Sequence, residues 1–323
     1  MAALCRCLKR HELELTVFSS QRHLDDVVDH DRRTLRSILD ELAIPYSSTD
    51  DINSEPGLRE YVTPTTLGLA LGAAWVFEKQ TVELFQGKLL DFMGIALPEY
   101  RGGAHYSWQI LRRNKLGCCN LQIIEGGHEA FHKGEIIKRQ EYVFPSTVRI
   151  PQDYFDAAVP HEVAFLEEFF AEVAGQRDFE RHSLQEDHST YFPFLSTLNN
   201  GFINWSWRTE DIESFICAFD DPYAGASTFL NGERVFLKNC YAELGDGDFH
   251  PFQSGLVYRK TDKAIFVATA GGAIVVRSLS NETGGNMFAA IQPGVRFYTP
   301  QTILDQALQF NAVYDAGGLR SSD

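Results

Sequence analysis

The most constraining feature of the sequence is the run "LGLALGAAWVF", residues 67–77, which contains almost no polar group. A strand of this kind is typical of a sheet covered by helices on both faces. Around it, "LELTVFSS" predicts a strand, "LDDVVDHDRRTLRSILDELA" a long amphipathic helix, and "VELFQGKLLDF" a helix, a turn and a strand. This alternation predicts an α/β fold with a doubly wound, mostly parallel sheet.

The pattern changes after a polar, irregular stretch at residues 186–200, which we interpret as a linker. Short strand-like segments separated by turn signals follow, among them "ASTFLNGERVFL", in which Asn-Gly predicts a hairpin turn. We therefore expect an α/β domain over residues 1–185, a small β-barrel domain over 201–300, and a tail over 301–323 that is compatible with a helix.

Charge and hydropathy exclude several classes of partner. The net charge of −15 argues against nucleic acid, because binding to phosphates requires a basic surface. No apolar run approaches the roughly 18 residues of a membrane span, and the first fifteen residues are too polar for a signal peptide. We therefore expect a cytoplasmic protein with no membrane partner. Six cysteines without a CxxC pair predict reduced core thiols.

Two long segments carry a family resemblance. "LPEYRGGAHYSWQILRRNKLGCCNLQIIEGG", followed by "KGEII", resembles the signature of the formyltransferase family, which includes methionyl-tRNA formyltransferase and the nucleotide-sugar N-formyltransferases. "INWSW", "FICAFDDPYAGASTFLNGERVFL" and "AIFVATAGGAIVVRSL" resemble the C-terminal barrel domain of that family. The resemblance implies a Rossmann-like domain followed by an OB-like barrel, and formyl transfer from 10-formyltetrahydrofolate to a small amine. It leaves a homodimer open.

The resemblance also implies a catalytic Asn, His and Asp, and all three positions differ here. They correspond to Asp91, Met93 and His132. A thioether cannot donate a hydrogen bond to an oxyanion, and losing one such donor typically costs about 10²–10³ in rate. If the site is active, we expect Asp91 and His132 to handle the proton, and backbone amides or His105 to replace the missing donor.

The remaining site residues follow from the same resemblance. The folate ring is expected near the backbone of one strand end and near the turn that ends a later strand, at Ala73, Ala74, Trp75, Val76, Glu125 and Gly126. The substrate loop comprises Pro98, Arg101, Gly102 and Gly103, with Arg101 expected mainly to fix the loop.

A second motif competes for the same site. Residues 128–132 read "HEAFH", which matches the HExxH pattern of zinc proteases. The flanking glycines leave too few residues for a stable helix, so a peptidase is disfavoured. His128 and His132 stay candidate metal ligands, and Glu129 a candidate acid or base beside Asp91. The alternative is a solvated loop over an inactive site.

Three functions therefore remain open. The first is formyl transfer to a small amine, for which the acidic charge favours an amino sugar attached to a nucleotide over tRNA. The second is a non-catalytic homologue that binds ligand, and the third is a metal-dependent activity of the "HEAFH" loop.

The resemblance also implies a strand ahead of the helical segment "ALCRCLKRH", so we expect an unpaired strand edge unless another segment or chain fills it.

Overall fold

The computed structural model describes residues 5–6, 8, 13–28, 31–73, 75–127, 133–315 and 318–320. The strands are β1 (Val17–Ser19), β2 (Tyr46–Ser48), β3 (Gly68–Leu71), β4 (Leu89–Met93), β5 (Arg101–Gly102), β6 (Leu116–Ile123), β7 (Ile136–Val143), β8 (Tyr191–Phe192), β9 (Ala226–Leu230), β10 (Glu233–Glu243), β11 (Val257–Lys260), β12 (Ile265–Thr269), β13 (Gly272–Asn281), β14 (Phe297–Tyr298), β15 (Tyr314–Asp315) and β16 (Gly318–Leu319). The helices are α1 (Gln21–Asp25), α2 (Leu35–Glu41), α3 (Leu58–Tyr61), α4 (Lys79–Leu84), α5 (His105–Leu111), α6 (Pro151–Ala174), α7 (Thr197–Asn200), α8 (Thr209–Ala218) and α9 (Gln301–Gln309). In the described ranges, no helix has the length and apolarity needed to cross a membrane.

The first part of the chain is a mixed α/β structure, which corrects the expectation of a doubly wound, mostly parallel sheet. The main sheet has the order β3-β4-β6-β7. Pairing is parallel between β3 and β4, but antiparallel between β4 and β6 and between β6 and β7. A separate parallel pair is formed by β1 and β2. Strands β6 and β7 are consecutive along the chain, are connected by residues 124–135, and lie side by side in the sheet.

The predicted long helix over "LDDVVDHDRRTLRSILDELA" is also wrong. The structure divides this segment into α1 and α2, and the two are joined by a bridge between Val27 and Thr34. The Thr34 side chain caps α2 by accepting a hydrogen bond from the Ser37 N–H at 3.2 Å. Because Thr34 caps α2, a separate helix starts at this position. The polar "DDVVDHDRR" stretch before it has no apolar stripe that would keep one helix continuous.

The core of the α/β part forms where α6 packs on the main sheet. Helix α6 begins with Pro151, and Asp153 accepts hydrogen bonds from the Arg149 and Ile150 N–H groups at 2.7 and 3.1 Å. Its aromatic stripe, which includes Phe165 and Phe169, is buried against Leu90, Phe92, Cys119 and Leu121 of β4 and β6. Packing on this face fixes β4, whose end carries the candidate site.

The C-terminal part contains a curled six-stranded sheet with the order β11-β12-β13-β10-β9-β14. The predicted Asn-Gly hairpin is confirmed, because β9 and β10 are joined by Asn231 and Gly232 at φ 51° and 87°. Leu256 and Arg296, the residues just before β11 and β14, form an isolated antiparallel bridge. The described strands form a curled sheet, and a closed OB barrel is not established. In the tail, α9 spans Gln301–Gln309.

The segment between the two parts is ordered and holds the substrate loop. Strand β8 pairs in parallel with β5, so that Arg101 lies beside Tyr191 and Gly102 beside Phe192. The Arg101 N–H donates to the Thr190 carbonyl at 2.9 Å, and the Gly103 N–H donates to the Phe192 carbonyl at 3.0 Å. Gly102 has φ 102°, and a Cβ there would lie 1.8 Å from the Phe192 carbonyl oxygen. The loop therefore requires glycine at this position.

We predict that Gly102→Ala lowers the free energy of unfolding by about 3 kcal/mol or more, because backbone strain adds to a clash that would break the β5–β8 pairing. The matched control is Gly232→Ala, where φ is 87° and nothing lies within 4 Å of the added Cβ. The control should cost only about 1–2 kcal/mol. Urea unfolding of the two variants measures the difference, and equal losses would contradict the close approach.

Candidate active site

A cleft of about 280 Å³ opens where β3 and β4 end. The carboxyl ends of parallel strands are the usual position of ligand sites in α/β sheets. The cleft is lined by Ala70, Gly72, Ala73, Trp75, Val76, Phe77, Asp91, Met93, Gly102, Gly103, Ala104, His105, Gln122, Ile123, Ile124, Gly126, Gly127 and Phe194. Most of these residues are apolar or glycine, so the two titratable groups, Asp91 and His105, dominate its chemistry.

Asp91 lies on β4 directly across from Gln122 on β6. Burial raises the pKa of the Asp91 carboxyl to about 7. Removal of water disfavours the charged carboxylate, and no compensating cation is among the causes of the shift. A carboxyl group with this pKa holds a proton during part of its time at neutral pH. It can therefore accept a proton from a reacting amine and release it again.

His105 is the first residue of α5, and it follows Ala104, which adopts the left-handed conformation at φ 51°. Burial lowers the pKa of His105 to about 4. Its Nδ1 atom is buried and has no hydrogen-bond partner among the described residues. At neutral pH the imidazole is uncharged and carries one N–H, which can serve as a hydrogen-bond donor to negative charge. His105 does not cap the helix.

Met93 supplies only apolar surface to the cleft, and its backbone is held by a buried amide. The Asn120 side chain is fully buried and donates to the carbonyls of Met93, at 3.4 Å, and Ile95. Nearby, the Gln122 side chain donates to the Gly134 carbonyl at 2.7 Å. Neither amide was anticipated. The signal available in the sequence was a pair of polar residues inside the otherwise apolar strand "CCNLQI".

The wall from Trp75 to Phe77 is fixed from two sides. The Trp75 indole donates to the Asp50 carbonyl at 3.0 Å, and the Asn53 amide donates to the Val76 carbonyl at 3.0 Å. The Gly127 N–H donates to the Phe77 carbonyl at 2.7 Å.

The structure brings four of the expected cofactor residues into the cleft: Ala73, Trp75, Val76 and Gly126. Glu125 is exposed and does not line the cleft, and Ala74 lies outside the described residues.

The substrate loop divides into two functions. Gly102 and Gly103 line the cleft, whereas Pro98 and Arg101 are buried and are not part of its lining. The Arg101 guanidinium instead donates to both carboxylate oxygens of Glu186, at 2.6 and 2.8 Å, and to the Ser189 hydroxyl at 3.0 Å. This pairing keeps the pKa of Glu186 below its usual value. Arg101 therefore holds the loop in place through these contacts, as mainly expected, and a contact between Arg101 and substrate stays a prediction.

Two residues near the cleft were not anticipated. Phe194, from the segment interpreted as a linker, lines the cleft and packs on Gly103. Glu162 on α6 lies next to Gly94, where an added Cβ would approach the Glu162 Oε1 atom to 2.7 Å. Burial raises the pKa of Glu162. Both lie far from the signature in sequence, and only the packing of the chain brings them to this place.

The metal hypothesis concerns residues that the structure does not describe. His128, Glu129 and His132 all lie outside the described residues, so their positions relative to Asp91 stay a prediction. Within the described ranges, no group of three or more His, Cys, Asp or Glu side chains is arranged to hold a metal ion.

Comparison with known proteins confirms the family resemblance. Residues 196–291 match the family model for the formyl transferase C-terminal domain. A methionyl-tRNA formyltransferase from Desulfotalea psychrophila is 26% identical over 210 residues, which cover 64% of this chain and 61% of the relative. A second such enzyme, from Streptococcus thermophilus, is 26% identical over 66% of this chain and 67% of its own length.

Solved structures agree on the fold. An N-formyltransferase from Helicobacter canadensis, in complex with folinic acid and dTDP-3-aminofucose, superimposes with a TM-score of 0.60 at 16% identity, covering 85% of this chain and 94% of its own. HypX from Aquifex aeolicus in complex with tetrahydrofolic acid gives a TM-score of 0.53 at 16% identity, covering 91% of this chain and 47% of its own. At this identity the likeness concerns the fold alone.

The raised pKa of Asp91 predicts how stability depends on pH. Between pH of about 4 and 7 the folded protein keeps a proton that the unfolded chain has lost, so stability falls as pH rises. Asp91→Asn removes this loss. Its stability advantage over the parent should grow by up to about 4 kcal/mol from pH 4 to pH 8, since three pKa units correspond to about that value.

Urea unfolding of parent and variant at several pH values measures this difference. The control is Asp305→Asn, which removes an exposed carboxylate of α9. An Asp91→Asn advantage that is independent of pH would contradict a buried, partly protonated Asp91.

Proposed function

We propose that the protein is a folate-dependent N-formyltransferase that acts on a small amine, with 10-formyltetrahydrofolate as formyl donor. The observation that carries this proposal is the presence of one carboxyl group with a pKa of about 7 and one neutral imidazole in the same apolar cleft. Formyl transfer to an amine requires a base for the ammonium proton and a donor for charge on the formyl oxygen. The family resemblance supports the same reaction.

The lining of the cleft fits a reduced folate head group. Trp75, Val76 and Phe77 offer apolar surface and a fixed backbone, and Gly126 and Gly127 offer backbone without side chains. The volume of about 280 Å³ lies near the lower end for small-molecule sites, which suits a bicyclic ring together with an amine. We assign Ala73, Trp75, Val76 and Gly126 to the cofactor, and the loop around Gly102 and Gly103 to the amine.

When bound, 10-formyltetrahydrofolate would supply the formyl group, whose carbon is the reacting atom. Asp91 in its carboxylate form takes the proton that the amine loses when its nitrogen forms the new bond to that carbon. The same carboxyl group can then return the proton to the nitrogen that leaves. His105 donates its N–H to the formyl oxygen, where negative charge develops. Because the ring is neutral, its other nitrogen carries no proton and stays a hydrogen-bond acceptor. Met93 contributes only contact surface.

The acceptor that we favour is an amino sugar attached to a nucleotide. The net charge of −15 is unfavourable for a large polyanion such as tRNA, whereas one small anionic ligand requires only local contacts. The Helicobacter canadensis structure contains dTDP-3-aminofucose as well as folinic acid, which supports testing this class first. The curated relatives are methionyl-tRNA formyltransferases, so formylation of methionyl-tRNA is the second candidate.

The test is formyl transfer from 10-formyltetrahydrofolate to dTDP-3-aminofucose and, in parallel, to methionyl-tRNA. Asp91→Asn should lower kcat/KM by at least about 10²-fold, the usual contribution of a positioned base. Its affinity for folinic acid should stay close to that of the parent, because the amide retains the size of the side chain. Asp305→Asn is the control for the substitution.

A second pair of variants separates the donor from the base. His105→Ala should lower kcat by about 10²–10³-fold, and adding Met93→His should recover part of this loss by supplying an imidazole next to the same strand end. If the parent binds folinic acid but transfers formyl to neither acceptor, the non-catalytic interpretation replaces this one. Stoichiometric metal in the purified protein would favour the "HEAFH" loop instead.

A further inference from the structure

The ring of Phe194 lines the cleft next to Gly102 and Gly103 of the substrate loop. Gly103 permits its position, because a Cβ on this glycine would lie only 2.2 Å from the Phe194 ring. Phe194 follows β8 along the chain, and the pairing of β8 with β5 brings it to the cleft. An aromatic ring next to the substrate loop offers a flat apolar surface on which the ring of a sugar can stack.

Two aromatic hydrogen-bond donors hold the backbone on either side of Phe194. The Trp108 indole, on α5, donates to the Pro193 carbonyl at 2.8 Å. The Tyr314 hydroxyl, on β15, donates to the Leu195 carbonyl at 3.1 Å. The Tyr314 ring also packs on the Phe194 ring, with centroids 5.7 Å apart and planes at 51°. The first anchor comes from the α/β part of the chain and the second from its C-terminal end.

The C-terminal end returns to the cleft along a defined path. The Asn200 side chain on α7 donates to the carbonyls of Ala307 and Phe310 at 2.8 and 3.0 Å, which fixes the end of α9. Strands β15 and β16 then form a small hairpin. At its far side, Gly318 comes close to α1 of the α/β part, since a Cβ there would lie 3.9 Å from Arg22 Cδ. The hairpin thus spans from the C-terminal part to the α/β part.

We propose that Tyr314 is a positioning residue that fixes Phe194, so that the C-terminal hairpin sets the shape of the acceptor side and favours a ring-shaped amine, an amino sugar, stacked on Phe194. This inference rests on the proposed function. Tyr314 itself does not line the cleft, and its side chain is 43% exposed. The described side chains of Tyr314 and Leu319 in the hairpin are exposed, so loss of the Tyr314 ring should release Phe194 without unfolding the rest of the protein.

The experiment compares the parent with Tyr314→Ala, Tyr314→Phe and Tyr298→Ala in formyl transfer to dTDP-3-aminofucose. Tyr314→Ala should raise the KM for this acceptor by at least about 10-fold, because displacement of a positioning surface by about 1 Å has effects of that size or larger. Affinity for folinic acid should be unchanged. Tyr314→Phe keeps the ring and loses the hydroxyl, so it should raise KM less. Tyr298→Ala, which removes another exposed tyrosine of the C-terminal part, should have no effect.

Two further measurements keep the outcomes distinct. Adding Phe194→Ala to Tyr314→Ala should raise KM no further if both act through the same surface. Hydrogen exchange should increase over residues 190–200 in Tyr314→Ala and not in Tyr298→Ala, whether or not the protein transfers formyl. An acceptor KM equal to that of the parent would overturn the inference while leaving the proposed function intact. If the parent shows no transfer, the proposed function fails, and unchanged hydrogen exchange would then overturn the inference as well.

Discussion

The pairing of β5 with β8 is the contact on which the candidate site depends. It joins the substrate loop to a segment about ninety positions later, with two residues from each side. The bidentate contact between Arg101 and Glu186 lies next to it and fixes the same loop. Because Gly102 lies against the Phe192 carbonyl, the pairing can form only with glycine at this position. As a direct consequence, Phe194 reaches the cleft and its ring contacts that of Tyr314.

The chemistry of the cleft follows from a second constraint, which is the removal of water from two titratable side chains. Burial raises the pKa of Asp91 and lowers that of His105, so both groups are favoured in their neutral forms. For Asp91 this gives the pKa of about 7 on which its proposed role as a base depends. For His105 it gives a neutral imidazole at neutral pH, which can donate a hydrogen bond and does not take up the proton of the amine. The proposed base and the proposed donor thus differ because burial moves their pKa values in opposite directions, as in other sites with two titratable groups.

Much of the fold could be predicted from sequence, because local patterns report local structure. The Asn-Gly hairpin at residues 231–232 and the buried aromatic face of α6 follow directly from turn chemistry and helical spacing. The antiparallel pairing of β6 and β7 could not be predicted from their residue patterns, because the pattern of apolar and polar residues does not report the direction in which two strands pair. In the site, Asp91, His105 and the glycines were found because they lie in or beside one loop. Asn120, Phe194 and Tyr314 were missed because tertiary packing alone brings them near it.

The central claim is that Asp91 serves as the base in formyl transfer with a pKa of about 7. The most direct measurement is the pH dependence of kcat/KM for formyl transfer by the parent protein, from pH 5 to pH 9. The account predicts an acidic limb with an apparent pKa of about 7, below which the rate falls about tenfold per pH unit. An acidic limb that is absent in this range, or that persists unchanged in Asp91→Asn, would contradict it.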